Sequence, residues 1–520
     1  MSRLAALAVV LAVAAPAAAM PPPLPEVADR SMADLQRAVA GGEATSEAVV
    51  SAYGVRAKEI DGRLKSILAV NPAALPDARA ADQARQAGDK RPLLGAAILV
   101  KDNIETADAG LATTAGSLAL AGNVSGRDAP MMARLRAAGV VVLGKANLSE
   151  WANIRSEHSL SGWSAVGGQT RNPYALDRSP CGSSSGSGAA VAAGLAAAAI
   201  GTETDGSITC PASVTGLVGL KPTVGLISRT GIVPISATQD TAGPMTRTVE
   251  DAALLLTAMA GSDPGDPATV EADRRKEDYR ARLNPNALNG VRVGVMRYSA
   301  GFHPETDAVF EQALATLKAR GAILVEIPEF PKRREMGAAE LTVLLTELKA
   351  GLNAYLSTTD PEKVKTRTLA DVIAFNRANA GREMPLFGQD LFEAAEATKG
   401  LTDPAYLKAR AEAARLAGPE GIDALLARYD VKVLVGPTLG PAWPIDPVLK
   451  DRYVGGGAGG AAAVAGYPHL TVPMGEVMGL PVGLSFVGPR WSDGALLGYG
   501  YAFEQASKAR KAPTLPSRID

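Results

Sequence analysis

The sequence predicts one large α/β domain with a central mixed β-sheet flanked by helices. Short apolar runs typical of buried strands alternate with amphipathic helical stretches along the chain. Hydrophobic residues make up 47% of the 520 residues, which is enough for an extensive core. A typical domain size would divide this length into about three domains. No internal repeat or long linker marks such a division, so we expect a single domain.

The first half of the chain alternates helices with strands. Residues 45–60 have the spacing of an amphipathic helix, and the apolar run 94–100 predicts a strand that ends at Lys101. The segment MMARLRAAGV predicts a helix that passes into the strand and loop VVLGKAN. Residues 187–199, rich in Ala, Val and Leu, predict a buried helix.

The second half contains a β-α-β unit, a helical region and a return to the sheet. The segments VRVGVMRY and AILVEIP predict strands on either side of a helix over 306–320. Residues from about 330 to 420 are largely helical in pattern. The final strands are predicted at VKVLVGPT, HLTVPMG and PVGLSFVG.

The charge and the aromatic content argue against several classes of partner. A formal net charge of −1 gives no general electrostatic reason to bind nucleic acid or an anionic membrane. Aromatic residues make up only 4% of the chain, too few for a base-stacking platform. We therefore expect neither nucleic acid nor membrane as a partner of the mature protein.

The N-terminus has the pattern of a secretory signal peptide. Arg3 precedes the apolar run LAALAVVLAVAAP, and the small residues at 17–19 suit a cleavage site. A membrane anchor is the alternative, but the run is shorter than the roughly 20 residues that span a bilayer. No cysteine follows the run to carry a lipid. We expect residues 1–19 to be removed, residues 20–520 to form the domain, and the protein to be periplasmic or secreted.

Two serine clusters and one lysine are the strongest candidates for chemistry. Ser183 lies in a GSSSGSG run before a small-residue helix, and Ser207 follows Gly206 after it. An activated serine needs a base, and none of the three histidines lies near these serines in a triad pattern. Lys101 is the available alternative. Taken singly, such a serine run is more often a loop or phosphate cradle, but it lacks the lysine spacing of a P-loop.

These residues occur in motifs that resemble the amidase signature family. The matching segments are VKDN, GKANLSEWAN, GGQTRNP, SPCGSSSGS, GTETDGSI, GLKPTVG and QDTAGPM. The resemblance runs from about residue 30 almost to the C-terminus. Within the family, NLSEWAN, SGWSA, GGQTRNPY and RLAGPEGIDA are most similar to the bacterial peptide amidases.

The resemblance implies a Ser-Ser-Lys catalytic triad. Ser207 would be the nucleophile that forms an acyl-enzyme, and Ser183 would bridge to the base from a cis Gly182–Ser183 bond. Lys101 would be the base, provided that burial keeps its amine neutral. The backbone N–H groups of residues 204–207, that is Thr204, Asp205, Gly206 and Ser207, would form the oxyanion hole.

Several other positions are candidates for the substrate pocket. They are Ser184, Trp151 and Gln169, with Glu150 and Arg171 as further possibilities, and a structural role is an equal alternative for these residues. Asp205 stands where many family members have glycine, and Cys181 replaces the first glycine of the common GGSS. Asp205 could repel anionic substrates or bond a substrate amide, although a structural turn contact is slightly favoured.

The two cysteines, Cys181 and Cys210, permit at most one disulfide. Because they flank the two serine clusters they could lie close together, but we expect small buried apolar residues rather than a bridge. No cluster of His or Cys accompanies them, so neither a metal nor another cofactor is expected.

The sequence therefore predicts an exported amidohydrolase that cleaves C-terminal amides of peptides to the acid and ammonia. A general amidase for small aliphatic or aryl amides is the alternative within the same chemistry. A non-catalytic exported binding protein with the same fold is the alternative from another class. The family also includes tRNA-dependent amidotransferase subunits, from which an export signal would separate this chain. The expected partner is a small-molecule or peptide amide, and the oligomeric state is left open.

Overall fold

The structure, a computed structural model, describes residues 26–519. The predicted signal peptide lies outside these residues. The described chain forms one α/β unit with a mixed central sheet flanked by helices, as the sequence predicts. In this part of the chain no helix is long and apolar enough to cross a membrane.

The central sheet of the described residues has eleven strands, and a separate pair forms a small two-stranded sheet. The strands are β1 (Ile67–Val70), β2 (Ala97–Lys101), β3 (Val141–Ala146), β4 (Trp163–Ser164), β5 (Gly168–Gln169), β6 (Ala198–Glu203), β7 (Val218–Lys221), β8 (Thr241–Thr246), β9 (Arg292–Met296), β10 (Ile323–Ile327), β11 (Val433–Pro437), β12 (His469–Val477) and β13 (Leu480–Val487).

The strand order in the large sheet is β1-β3-β2-β6-β8-β7-β12-β13-β11-β9-β10. Strand β2 runs parallel to both of its neighbours, β3 and β6, and β9 runs parallel to β10 and β11. The other neighbouring pairs are antiparallel. Because β2 and β6 are parallel, their carboxyl ends open at the same edge of the sheet.

Helices cover both faces of the sheet. They are α1 (Met32–Ala40), α2 (Ser46–Leu64), α3 (Ala74–Gln86), α4 (Pro130–Ala137), α5 (Ser185–Ala192), α6 (Thr209–Val214), α7 (Val249–Met259), α8 (Ala272–Arg275), α9 (Pro304–Ala319), α10 (Arg333–Ser357), α11 (Leu369–Ala378), α12 (Ala380–Glu383), α13 (Asp390–Glu396), α14 (Pro404–Ala417), α15 (Ala424–Arg428), α16 (Gly460–Ala465) and α17 (Asp493–Ser507). Helices α10–α14 account for the helical region expected at about 330–420.

One predicted helix is too long. The run expected to be helical over 187–199 ends as α5 at Ala192, and the alanines that follow enter strand β6. Gly194 reverses the chain with φ +73°, and a Cβ at this glycine would lie 2.4 Å from the carbonyl oxygen of Ala28. Gly194 is the glycine just beyond the C-cap that commonly ends a helix, and the prediction of a continuous helix overlooked this signal within the alanine-rich run.

A buried charge cluster joins the helical region to the loop over residues 150–165. Arg155 is completely buried and pairs with Glu150, while Glu383 lies 3.9 Å away from the guanidinium. The guanidinium donates to the carbonyl oxygen of Gly388 and lies 4.2 Å from the centroid of the Phe387 ring. These contacts hold the 150–165 loop against the helical region, beside the serine clusters.

Candidate active site

The carboxyl ends of β2 and β6 bring the predicted residues to one place. Lys101 is the last residue of β2, and Ser207 follows β6 by four residues. Ser183 lies just before α5, and its hydroxyl is 2.8 Å from the amine of Lys101. All three side chains are buried, with Ser207 the most accessible at 7% exposure.

Lys101 is surrounded by uncharged oxygen atoms. Its Nζ lies 2.8 Å from Ser183 Oγ, 2.8 Å from Thr202 Oγ1 and 3.2 Å from the Thr202 carbonyl oxygen. Complete burial lowers the pKa of Lys101 to about 7, although the more distant charges of Glu203 and Asp240 oppose this shift. A large neutral fraction at physiological pH is what a lysine base requires.

Ser183 is fixed by its backbone. The Gly182–Ser183 peptide bond is cis, and the carbonyl oxygen of Ser183 accepts a hydrogen bond from the N–H of Ser149 at 3.0 Å. A Cβ at Gly182 would lie 2.1 Å from Ser149 Oγ, so only glycine fits there. Ser183 therefore presents its hydroxyl to the lysine from a closely packed loop.

The turn that carries Ser207 leaves a row of backbone donors available. The N–H groups of residues 204–207 donate no hydrogen bond to another described residue. The carbonyl oxygen of Gly206 accepts from the N–H of Cys210 at 2.8 Å, which fixes the plane of the Gly206–Ser207 peptide. Gly206 has φ +78°, a conformation that glycine adopts without strain. Four adjacent free donors are the arrangement that binds an oxyanion.

Glu203 organises this turn, a role that the sequence reasoning missed. Its buried carboxylate accepts from the N–H groups of Ile208 at 2.7 Å and Thr209 at 2.9 Å. These are the first two residues after Ser207 and include the start of α6. Glu203 lies six residues before the start of α6, outside the N-cap position at which capping is read from a sequence, so no local pattern indicated this role.

Two acidic side chains, Asp205 and Glu340, belong to the surroundings of this turn. Asp205 is exposed and makes no side-chain hydrogen bond to another described residue, so the expected turn contact is absent there. Its side chain still reaches solvent, but partial desolvation within the cleft, followed by the charge of Glu203, raises the pKa of Asp205 to about 6. Desolvation and then the charge of Asp205 raise the pKa of Glu340, on α10, to about 8. The amide of Gln239 joins Glu340 to the carbonyl oxygen of Thr204.

The three candidate pocket residues lie in different surroundings. The Ser184 hydroxyl is buried and donates to the carbonyl oxygen of Thr202, so it is already occupied. Trp151 is buried edge-on against Phe392, with an indole N–H that has no acceptor among the described residues. Gln169 donates to the carbonyl oxygens of Ser161 and Thr170.

The two further candidates have structural contacts. Glu150 belongs to the buried charge cluster, where loss of solvation raises its pKa well above the usual range. Arg171 is exposed and donates to the carbonyl oxygen of Leu176.

The expectation of unpaired cysteines is wrong. Cys181 and Cys210 form a disulfide, with their Cα atoms 6.1 Å apart. Cys181 precedes the cis bond and Cys210 lies in the first turn of α6, so the two segments converge because both deliver a serine to the same centre. The sequence places both cysteines beside the serines, but only the folded arrangement brings them within bonding distance.

The described residues contain no group of three or more His, Cys, Asp or Glu side chains that could hold a metal ion. The arrangement that they do contain is a serine bonded to a buried lysine, a second serine on a turn of free N–H groups, and a carboxylate that orients that turn. These are the parts that a serine hydrolase with a lysine base would require.

Comparison with known proteins identifies the family. The Amidase family model matches residues 48–497, and the chain belongs to this family, the amidase signature enzymes. It is accordingly a hydrolase acting on amide C–N bonds.

Individual relatives match over nearly their whole length. The crystal structure of the native peptide amidase from Stenotrophomonas maltophilia is 51% identical with a TM-score of 0.89, and the match covers 95% of this chain and 100% of that one. A probable amidase of Arabidopsis thaliana is 40% identical over 94% of this chain and 92% of its own. A glutamyl-tRNA(Gln) amidotransferase subunit of Pseudomonas syringae is 36% identical, over 92% of this chain and 97% of its own.

Proposed function

We propose that this protein is an exported peptide amidase that hydrolyses C-terminal carboxamides through an acyl-enzyme on Ser207. The observation that carries the catalytic part is the buried hydrogen bond of 2.8 Å between Lys101 Nζ and Ser183 Oγ. A lysine kept largely neutral by burial can accept a proton, and the serine beside it can pass one on.

In the acylation step, Ser207 Oγ attacks the carboxamide carbon while its proton passes to Ser183. Ser183 in turn gives its own proton to the lone pair of Lys101. The carbonyl oxygen becomes an oxyanion, and the free N–H groups of residues 204–207 stabilise it. The tetrahedral intermediate collapses when the proton returns through Ser183 to the departing nitrogen, which leaves as ammonia.

In the deacylation step, a water molecule takes the place of the amine. The same relay removes a proton from this water, which attacks the acyl carbon, and the proton is returned to Ser207 Oγ. Glu203 makes no contact with the relay in this scheme. It holds Ile208 and Thr209, and with them the position of the nucleophile.

Four observations support the finer parts of the proposal. The identity of 51–52% to peptide amidase structures favours peptide carboxamides over small amides as substrates. One of those structures is a complex with the competitive inhibitor chymostatin. The N-terminal signal pattern and the Cys181–Cys210 disulfide both suit an oxidising compartment outside the cytoplasm.

Ammonia release is the decisive assay for substrate class. A blocked dipeptide amide should exceed acetamide and benzamide in kcat/KM by at least about 100-fold, roughly 2.7 kcal/mol of transition-state binding, because the remote backbone orients the carboxamide. Internal peptide bonds of the same substrate should survive. Equal or better turnover of the simple amides would assign the protein as a general amidase.

The nucleophile is tested by covalent trapping. A fluorophosphonate should label Ser207 in the wild type, and Ser207→Ala should lose labelling and several orders of magnitude in rate, on the order of 10⁴-fold or more. Lys101→Ala should also cripple turnover while keeping the circular dichroism spectrum. An adduct on Ser183 or Ser184 would overturn the assignment, and absence of any label would favour a non-catalytic binding protein.

A further inference from the structure

A small cavity adjoins the hydrogen-bond network of Lys101 through Asn103 and Thr202, which line it. Its volume is about 30 Å³, which exceeds the roughly 10–15 Å³ that a buried water needs. One side is the apolar segment 232–235. The polar residues lining the other side include Asn103, Thr202, Thr204 and Asp240.

Asn103 has an unused acceptor at this cavity. Its side chain is 3% exposed, and its Nδ2 donates to Thr202 Oγ1 at 3.0 Å. Its Oδ1 is buried and receives no hydrogen bond from the described residues. A buried amide oxygen that accepts no hydrogen bond destabilises the folded protein. We therefore expect a small donor molecule in the cavity beside this atom.

The Thr202 hydroxyl, in turn, has a hydrogen without an acceptor among the described residues. Its Oγ1 accepts from both Lys101 Nζ and Asn103 Nδ2, which uses both lone pairs of the hydroxyl oxygen. The hydroxyl hydrogen donates to none of the described residues. One water molecule can serve both residues, because it can accept this hydrogen and donate one of its own to Asn103 Oδ1.

We propose that the cavity binds one water molecule, which accepts from the Thr202 hydroxyl and donates to Asn103 Oδ1, and thereby sets the direction of the hydrogen bonds at Lys101. This inference rests on the proposed role of Lys101 as the base. A neutral amine has two N–H donors and one lone pair. With the Thr202 hydrogen directed to the water, Lys101 donates to the Thr202 hydroxyl and carbonyl oxygens, and its lone pair remains for the proton of Ser183.

The opposite direction of these hydrogen bonds would leave Lys101 unable to accept the proton of Ser183. If the Thr202 hydroxyl had no other acceptor, it would donate to the lone pair of Lys101, and the lysine would then donate to Ser183 instead of accepting from it. Asn103 and Thr202 are therefore positioning residues, and they would affect the rate of the proton transfer more than the binding of substrate.

A crystal structure at about 1.5 Å tests the binding of water directly. Crystals of the full wild-type protein grown without ammonium salts should show one density peak within about 2.6–3.2 Å of both Asn103 Oδ1 and Thr202 Oγ1. An empty cavity would overturn the proposal. A peak that appears only in crystals grown with ammonium salts would also overturn it, and would assign the cavity to the ammonia product.

Matched variants test the consequence. Thr202→Val is close in shape but lacks the hydroxyl, and should lower kcat at least about tenfold with KM changed less than about threefold. Thr202→Ser keeps the hydroxyl and should retain kcat within about threefold. Asn103→Leu should lower kcat as Thr202→Val does, provided that its circular dichroism spectrum is native. If that variant does not fold, the comparison of Thr202→Val with Thr202→Ser alone tests the proposal.

The outcomes separate this inference from the proposed function. If the wild type releases ammonia and Ser207→Ala does not, the function stands whatever the Thr202 variants show. Full kcat in Thr202→Val would then refute the water-directed hydrogen bonding alone. A loss of activity in which KM rises and kcat stays constant would refute it as well.

Discussion

The pH dependence of hydrolysis should report the buried lysine directly. Titration of the enzyme with a blocked dipeptide amide, which has no ionisable group in the working range, should give a kcat/KM that rises tenfold per pH unit below about 7 and levels off above it. The sign follows from the role of Lys101, because only the neutral amine can accept a proton and the neutral fraction grows with pH.

The size of the effect follows from the burial. With a pKa of about 7, about half of the Lys101 side chains are neutral at pH 7. An ordinary lysine, with a pKa of about 10.4, would be neutral in only about one molecule in 2,500. The difference corresponds to a free energy on the order of 4–5 kcal/mol by which burial disfavours the charged ammonium relative to the neutral amine.

The rate measurement needs a control for the acidic groups across the cleft. Asp205 and Glu340 have pKa values of about 6 and about 8 and could add their own steps to the profile. The Glu340→Gln variant removes one of these two titrating groups, and its kcat/KM profile should keep the rise centred near pH 7. A rise that vanishes in this variant, or a wild-type rate that keeps climbing to pH 10, would refute the assignment of the step to Lys101.

Two further predictions concern Glu203 and Cys210, which lie close in the chain to Ser207. Glu203→Gln should lower kcat, because the N–H groups of Ile208 and Thr209 lose a charged acceptor. The same variant should move the rise in kcat/KM to lower pH, because the charge of Glu203 raises the pKa of Lys101. A pH profile displaced to higher pH would contradict this. Cys210→Ser should lower the free energy of unfolding by roughly 3–4 kcal/mol, because the disulfide that closes a loop between cysteines 29 residues apart reduces the entropy of the unfolded chain. Urea denaturation of the variant and of the wild type, with and without a thiol reductant, measures this difference. Equal unfolding midpoints for the variant and the unreduced wild type would count against it.

The sequence was sufficient for the fold class and for the residues that meet at the centre. Apolar periodicity located the strand ending at Lys101, and the motif resemblance singled out Ser183 and Ser207, which the structure places around the ends of β2 and β6. These features are local or carried by contiguous motifs, so a linear pattern is enough to find them.

The parts that the sequence did not predict depend on contacts between distant segments. Glu340 lies on α10, far along the chain from Asp205, and no pattern connects the two. The disulfide required the convergence of two loops. The close approach of Gly194 to Ala28 is also a contact between distant segments, whereas the glycine that ends α5 is a local signal that the sequence does contain.

The Cys181–Cys210 disulfide makes residues 181–210 a closed covalent ring, with α5 and β6 as its circumference. Both serines belong to this ring, while the lysine reaches it from outside. A protease that cuts the backbone once within the ring therefore cannot separate Ser183 from Ser207, because the sulfur bridge still joins the two fragments. Their separation requires both a cut in the backbone and reduction of the disulfide, so a single chemical event cannot part the two serines.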